Sequence, residues 1–165
     1  MFALYLTIWL ALALFVAGET GRSLARHARP PQWSWWAFTA GLLLALLHTL
    51  LAFEHVHDWD HAEAVLATAR QTRAMFGIEV GWGVYVNYLF YGVWLADAIW
   101  WRRSGTPQTR PPAITWALRG FYLVIMLNAA VVFASPARRA LGVLVVGCLV
   151  ASWTISARRA PASPP

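Results

Sequence analysis

Lysine is absent from this chain, cysteine occurs once, and charged residues make up only 12% of its 165 positions. Each scarcity excludes something. A soluble domain carries about 25% charged residues, so 12% charge beside 59% hydrophobic residues leaves too little polarity to cover a water-facing surface. A single Cys148 can form neither an internal disulfide nor a thiolate metal cage. With no lysine, the net charge of +6 rests on arginine alone. Those arginines flank apolar runs instead of clustering on one soluble face, which argues against nucleic acid as a partner and for anionic headgroups in a lipid bilayer.

What is present is long apolar sequence. A crossing of the bilayer takes about 20 apolar residues, with a range of roughly 17–25. Five segments meet or approach that length: 1–18, 34–53, 78–100, 113–134 and 138–156. Pro30-Pro31, Pro111-Pro112 and Ser135-Pro136 punctuate the starts of the second, fourth and fifth. No basic residue precedes Arg22, so residues 1–18 are expected to be a retained span and not a cleaved leader. The expected fold is an all-α integral membrane protein, a bundle of about five transmembrane helices forming one domain over 1–159. The Pro-rich 160–165 is expected to be a disordered tail.

Arginine also sets the expected orientation. Arg22, Arg26, Arg29, Arg102, Arg103, Arg110, Arg119, Arg158 and Arg159 fall at one end, and Arg70, Arg73, Arg138 and Arg139 at the other. Nine against four predicts the N-terminus outside and the C-terminus in the cytoplasm, for a multi-pass protein of a bacterial cytoplasmic membrane.

Polar residues concentrate in one interval. His48, His55, His57 and His61, four of the five histidines, lie between residues 48 and 79 with Glu54, Asp58, Asp60, Glu63 and Glu79, five of the seven acids. Asp60 followed by Glu63 resembles a capping box, and Gly77 suits a helix stop, so a short amphipathic helix over 62–76 is expected between spans two and three. His57 and His61 stand at i, i+4, a spacing that can place two imidazoles on one ion if both are helical. His55, His57, His61, Glu54 and Glu79 are therefore the candidate metal ligands, for zinc, iron or copper. Haem is disfavoured, because only His48 lies well inside a span. The competing reading of the cluster is a set of solvated caps and ion pairs.

Inside the spans, His48, Asn87 and Asn128 fall at similar depth and predict a polar pocket able to take a metal, a quinone headgroup or a protonatable group. Asp97 and Arg119, near neighbouring ends of spans three and four, are expected to form a structural ion pair. Gly77, Gly81, Gly83 and the Gly92–Ala96 pair suggest close packing of span three.

No P-loop, nucleophile elbow, paired-cysteine metal motif or dinucleotide fingerprint is present, and the pattern names no catalytic residue. Three functions remain. The first is a membrane binding or redox-associated protein with a His/carboxylate site. The second is a structural or assembly subunit, acting with membrane protein partners or as a homo-oligomer. The third is a small transporter or proton path, against which stands the lack of an internal repeat.

Overall fold

The computed structural model describes residues 2–25, 29–104 and 110–158. They form six helices: α1 (Phe2–Leu24), α2 (Gln32–Val56), α3 (His61–Phe76), α4 (Gly83–Ser104), α5 (Pro112–Leu127) and α6 (Pro136–Arg158). Asn128–Val132 continues α5 as a π-helical stretch. The proposed tail, 160–165, lies outside the described residues.

Among the described residues, four helices are long and apolar enough to cross a membrane: α1, α2, α5 with its π-helical extension, and α6. The chain is an integral membrane helical bundle. The five-span expectation is not met by this measure, because α4 falls outside the group. Asn87, Asp97 and three tyrosines dilute the apolarity of α4, and residues 78–82, expected to open the span, precede the helix. Helix α4 nevertheless contributes Phe90, Trp94, Ala98 and Trp101 to the core.

The expected punctuation works locally. Pro112 opens α5, and the backbone N–H groups of Arg138 and Arg139 donate to the Ser135 carbonyl at 2.9 and 3.0 Å to start α6. Asp60 caps α3, its carboxylate accepting from the N–H of Ala62 (2.8 Å) and Glu63 (3.3 Å). Gly77 closes α3 at φ 74°, in the left-handed region that glycine adopts without a Cβ clash. Thr72 then holds the turn into α4, accepting from Val80 N–H at 2.8 Å.

The most extensive helix contact is α1 against α2. A Cβ at Gly18 would stand 2.7 Å from Phe38 Cβ and 2.8 Å from the Ser34 carbonyl oxygen. Gly21 meets Ser34 at similar range, and Gly41 meets the Ala11 carbonyl oxygen. Lipid tails are as apolar as leucine, so close packing of this kind, not hydrophobic burial, drives helices together in a bilayer. Of the glycines expected to do this around α4, Gly81 and Gly83 meet Val65 and Thr68 of α3 (2.7 and 3.2 Å), whereas Gly77 and Gly92 face open space. Above the α1–α2 seam, Phe15 packs on Phe38 (ring centroids 5.3 Å) and edge-on to Trp94 (4.9 Å) and Tyr122 (5.0 Å). Each such aromatic pair contributes about 0.5–1.5 kcal/mol beyond its contact area.

Candidate functional site

The two ends of the bundle differ in kind. At the end where α1 finishes and α2 begins, charged groups are buried together. Arg22 of α1 donates through both terminal nitrogens to Asp97 of α4, at 2.9 Å to Oδ1 and 3.1 Å to Oδ2. The same guanidinium pairs with Glu19 one turn earlier. Arg110 also pairs with Asp97, and the Tyr122 hydroxyl donates to Asp97 Oδ2 at 3.0 Å. Trp153 of α6 donates its indole N–H to Glu19 Oε2 at 3.0 Å. The side chains of Glu19 and Asp97 are 1% and 0% exposed, so both depend on these partners. The Arg22 guanidinium also lies over the rings of Trp101 (4.8 Å) and Phe38 (5.2 Å). Four helices and the segment before α5 thus converge on two carboxylates.

This network replaces the expected Asp97–Arg119 pair. Arg119 donates to Ser23 Oγ at 3.4 Å and sits over Trp116 and Trp153 (5.2 and 5.5 Å). It has no carboxylate partner among the described ion pairs. Helix α1 runs six residues past the expected end at Gly18, which carries Arg22 into the bundle to chelate Asp97 first. Glu19 and Arg22 were missed as functional residues. Their i, i+3 spacing at the end of an apolar run was the available signal, since Glu19 is the one acid among residues 1–53.

At the opposite end the polar interval spreads out. Asp58 and Trp59 adopt left-handed φ values of 46° and 59°, which breaks the helix between His57 and His61. The i, i+4 geometry is therefore lost: His57 ends α2 and His61 begins α3. Glu54 accepts from the Trp59 indole at 2.5 Å, and Glu79 from Arg73 at 2.5 Å. The His61 ring packs among Phe53, Tyr85 and Tyr88, while His55 is exposed. Among the described residues, no three His, Cys, Asp or Glu side chains come together to hold a metal ion. The local pairings consume the carboxylates before they can converge.

Between these ends lies a cavity of about 750 Å³, within the 300–1,000 Å³ range usual for small-molecule sites. Its walls come from α1, α2, the end of α3, α4, α5, the π-helical stretch and the start of α6. Most of the lining is apolar, including Leu12, Ala45, Phe90, Trp94, Ile125 and Met126. His48 and Asn87 both line it, so two of the three residues of the expected pocket are brought together. Asn128 is not, because its amide turns back to the Val124 carbonyl at 2.8 Å, within its own helix.

His48 Nδ1 lies 2.9 Å from the Leu4 carbonyl oxygen and 3.4 Å from Thr7 Oγ1. A carbonyl oxygen can only accept, so Nδ1 carries the proton, and in the neutral form of the ring Nε2 is then free to accept a hydrogen bond. Two further lining residues hold buried polar atoms with no hydrogen-bond partner among the described residues: the Trp94 indole N–H and His57 Nδ1. Trp94 is 1% exposed, and an unmade hydrogen bond at such depth costs about 1–3 kcal/mol. The π-helical stretch shapes the same wall. It offers the Val131 carbonyl to Arg139 Nε at 3.1 Å and lets α6 approach so closely that a Cβ at Gly142 would collide with the Ala130 carbonyl oxygen. Such π-turns occur frequently at functional sites. No known protein family, curated protein or solved structure matches the chain.

Proposed function

We propose that this is a membrane-embedded binding protein that holds a lipid-soluble ligand in the cavity between α1, α2, α4 and α5. The observation that carries the reading is a cavity of small-molecule size whose mostly apolar lining brings His48 and Asn87 together. His48 Nε2 would accept from a ligand hydroxyl. The test is to fill the space. Ala45→Trp should abolish co-purification of the ligand, read by native mass spectrometry, while circular dichroism remains helical. Equal ligand retention by the filled variant would reject the cavity as the site.

Helix α4 runs antiparallel to its neighbours as a fifth crossing, with its tyrosines and Asp97 sheltered by the bundle, and the α3 end faces outward in a bacterial cytoplasmic membrane. Helix α3 buries Ala64 and Thr72 and exposes Leu66, Met75 and Phe76, as suits a helix lying at the lipid surface. Ala74→Cys, in a Cys148→Ser background, should react with an impermeant thiol reagent on intact cells. Labelling only after lysis would reverse the orientation.

One observation favours a second reading, a structural subunit of a larger membrane complex. Glu19 and Asp97 are fully engaged in holding helices together, which is assembly and not chemistry. A native mass showing a stoichiometric protein partner and no small ligand would select it.

A further inference from the structure

We propose that the ligand of this cavity is a single-chain amphiphile with an anionic oxygen headgroup, carboxylate or phosphate, held by Arg138 and Arg139. The inference rests on the binding reading above and adds the chemistry of the ligand. The charged residues lining the cavity are both arginines, and no acid lines it among the described residues. Arg138 is anchored by Nε to Ser135 Oγ at 2.9 Å, with its guanidinium 3.8 Å from the centre of the Tyr5 ring. Arg139 is anchored by Nε to the Val131 carbonyl. Each anchor uses Nε and leaves the terminal nitrogens, and neither arginine has a carboxylate in ion-pair range among the described residues. Two positioned guanidinium groups suit an oxyanion, which they can grip through paired N–H donors.

The rest of the cavity matches the body of such a molecule. Along α2 the lining runs from Ala45 to His57, about 18 Å at 1.5 Å per residue. That is somewhat more than half of the roughly 30 Å hydrocarbon core, or about one leaflet. The arginines lie in the first turn of α6, and the floor at Leu12, Ala45, Trp94 and Met126 is apolar. An acyl chain would therefore point toward the middle of the bundle with its head at the interface. The Arg22–Asp97 network lies farther along the helices and closes that route.

Equilibrium competition on the purified full chain, in neutral detergent, tests this with palmitate, palmitoyl lysophosphatidate and uncharged hexadecanol. At least one of the two anions should bind about tenfold or more tightly than hexadecanol, the margin expected of a charge-assisted pair. Which anion wins identifies the head as carboxylate or phosphate. Arg138→Gln with Arg139→Gln should erase the preference, and the paired Lys variants, which keep the charge, should restore part of it. Should the Gln variant unfold, the Lys variants and the hexadecanol comparison still decide. Equal binding of hexadecanol and both anions would overturn the headgroup assignment and leave the cavity reading standing. Failure of all three probes to bind would overturn both.

Discussion

The end of the bundle that looks chemically rich and the end that is chemically organised are opposite ends. The interval 48–79 holds most of the histidines and acids, yet these residues mostly meet water or a near neighbour in the chain. The exposed pairs Arg70–Glu63 and Arg73–Glu79 are of this kind, with side chains 42–69% exposed. The other end holds Glu19 and Asp97, the two acids left over, and both are almost completely buried and shared among several helices. Charge in plenty can be left solvated, whereas an acid alone in an apolar run has to be paired or excluded. Isolation was the stronger signal.

The contrast breaks most readily at Asp97. Asp97→Asn would leave Arg22 and Arg110 buried without their common carboxylate, and should cost about 3–5 kcal/mol, the usual loss when one member of a buried pair is removed. Denaturant unfolding in mixed micelles measures it. Adding Arg22→Gln should recover part of the loss, and a double change that is simply additive would show that the two residues do not share a bond.

Gly18→Val tests whether the α1–α2 seam is what carries Glu19 and Arg22 inward. With Phe38 Cβ and the Ser34 carbonyl at 2.7 and 2.8 Å from the new Cβ, the helices must separate. A loss of about 1–3 kcal/mol is expected, as for overpacking elsewhere. A neutral Gly18→Val would mean that the seam yields freely.

Arg119→Gln should be milder. One 3.4 Å hydrogen bond and two aromatic contacts are at stake, about 0.5–2 kcal/mol. Its coupling to Asp97 in a double-mutant cycle should be weaker than that of Arg22. Stronger coupling would restore the pairing that the sequence suggests.

The smallest effect belongs to the polar interval. Glu63→Gln and Glu79→Gln should each change stability by no more than about 1 kcal/mol, the range of exposed ion pairs. Zinc should not raise the unfolding temperature of the wild-type protein. A zinc-dependent rise, lost in His57→Ala, would show convergence of groups that the structure holds apart.

The legible part of the fold was the local part. The membrane class, four apolar spans, the Asp60 cap and the Gly77 stop all depend on residues within a turn or a helix length of each other. The candidate site was legible only in fragments. His48 and Asn87 follow from depth along their helices, since rise per residue is fixed. Depth leaves rotation about the axis open, which is why Asn128 seemed to belong with them and turns back to its own backbone instead. The His57–His61 spacing failed for a related reason: i, i+4 places two side chains together only if the backbone between them is helical, and Asp58 and Trp59 leave that conformation.

Sequence alone determined that this chain enters a bilayer, because too few charges and long apolar runs admit no other solvent. It also determined the starts of α5 and α6 and both ends of α3, since proline, glycine and capping side chains act on their own neighbours. Only the tertiary structure decided which arginine meets Asp97, that α1 runs on to bury Glu19, and that Trp94 keeps an unanswered N–H beside a cavity. Those outcomes turn on how five long helices are rotated and how closely two of them approach. In lipid that depends on packing small residues such as Gly18 and Gly21 against a neighbour far away in the chain.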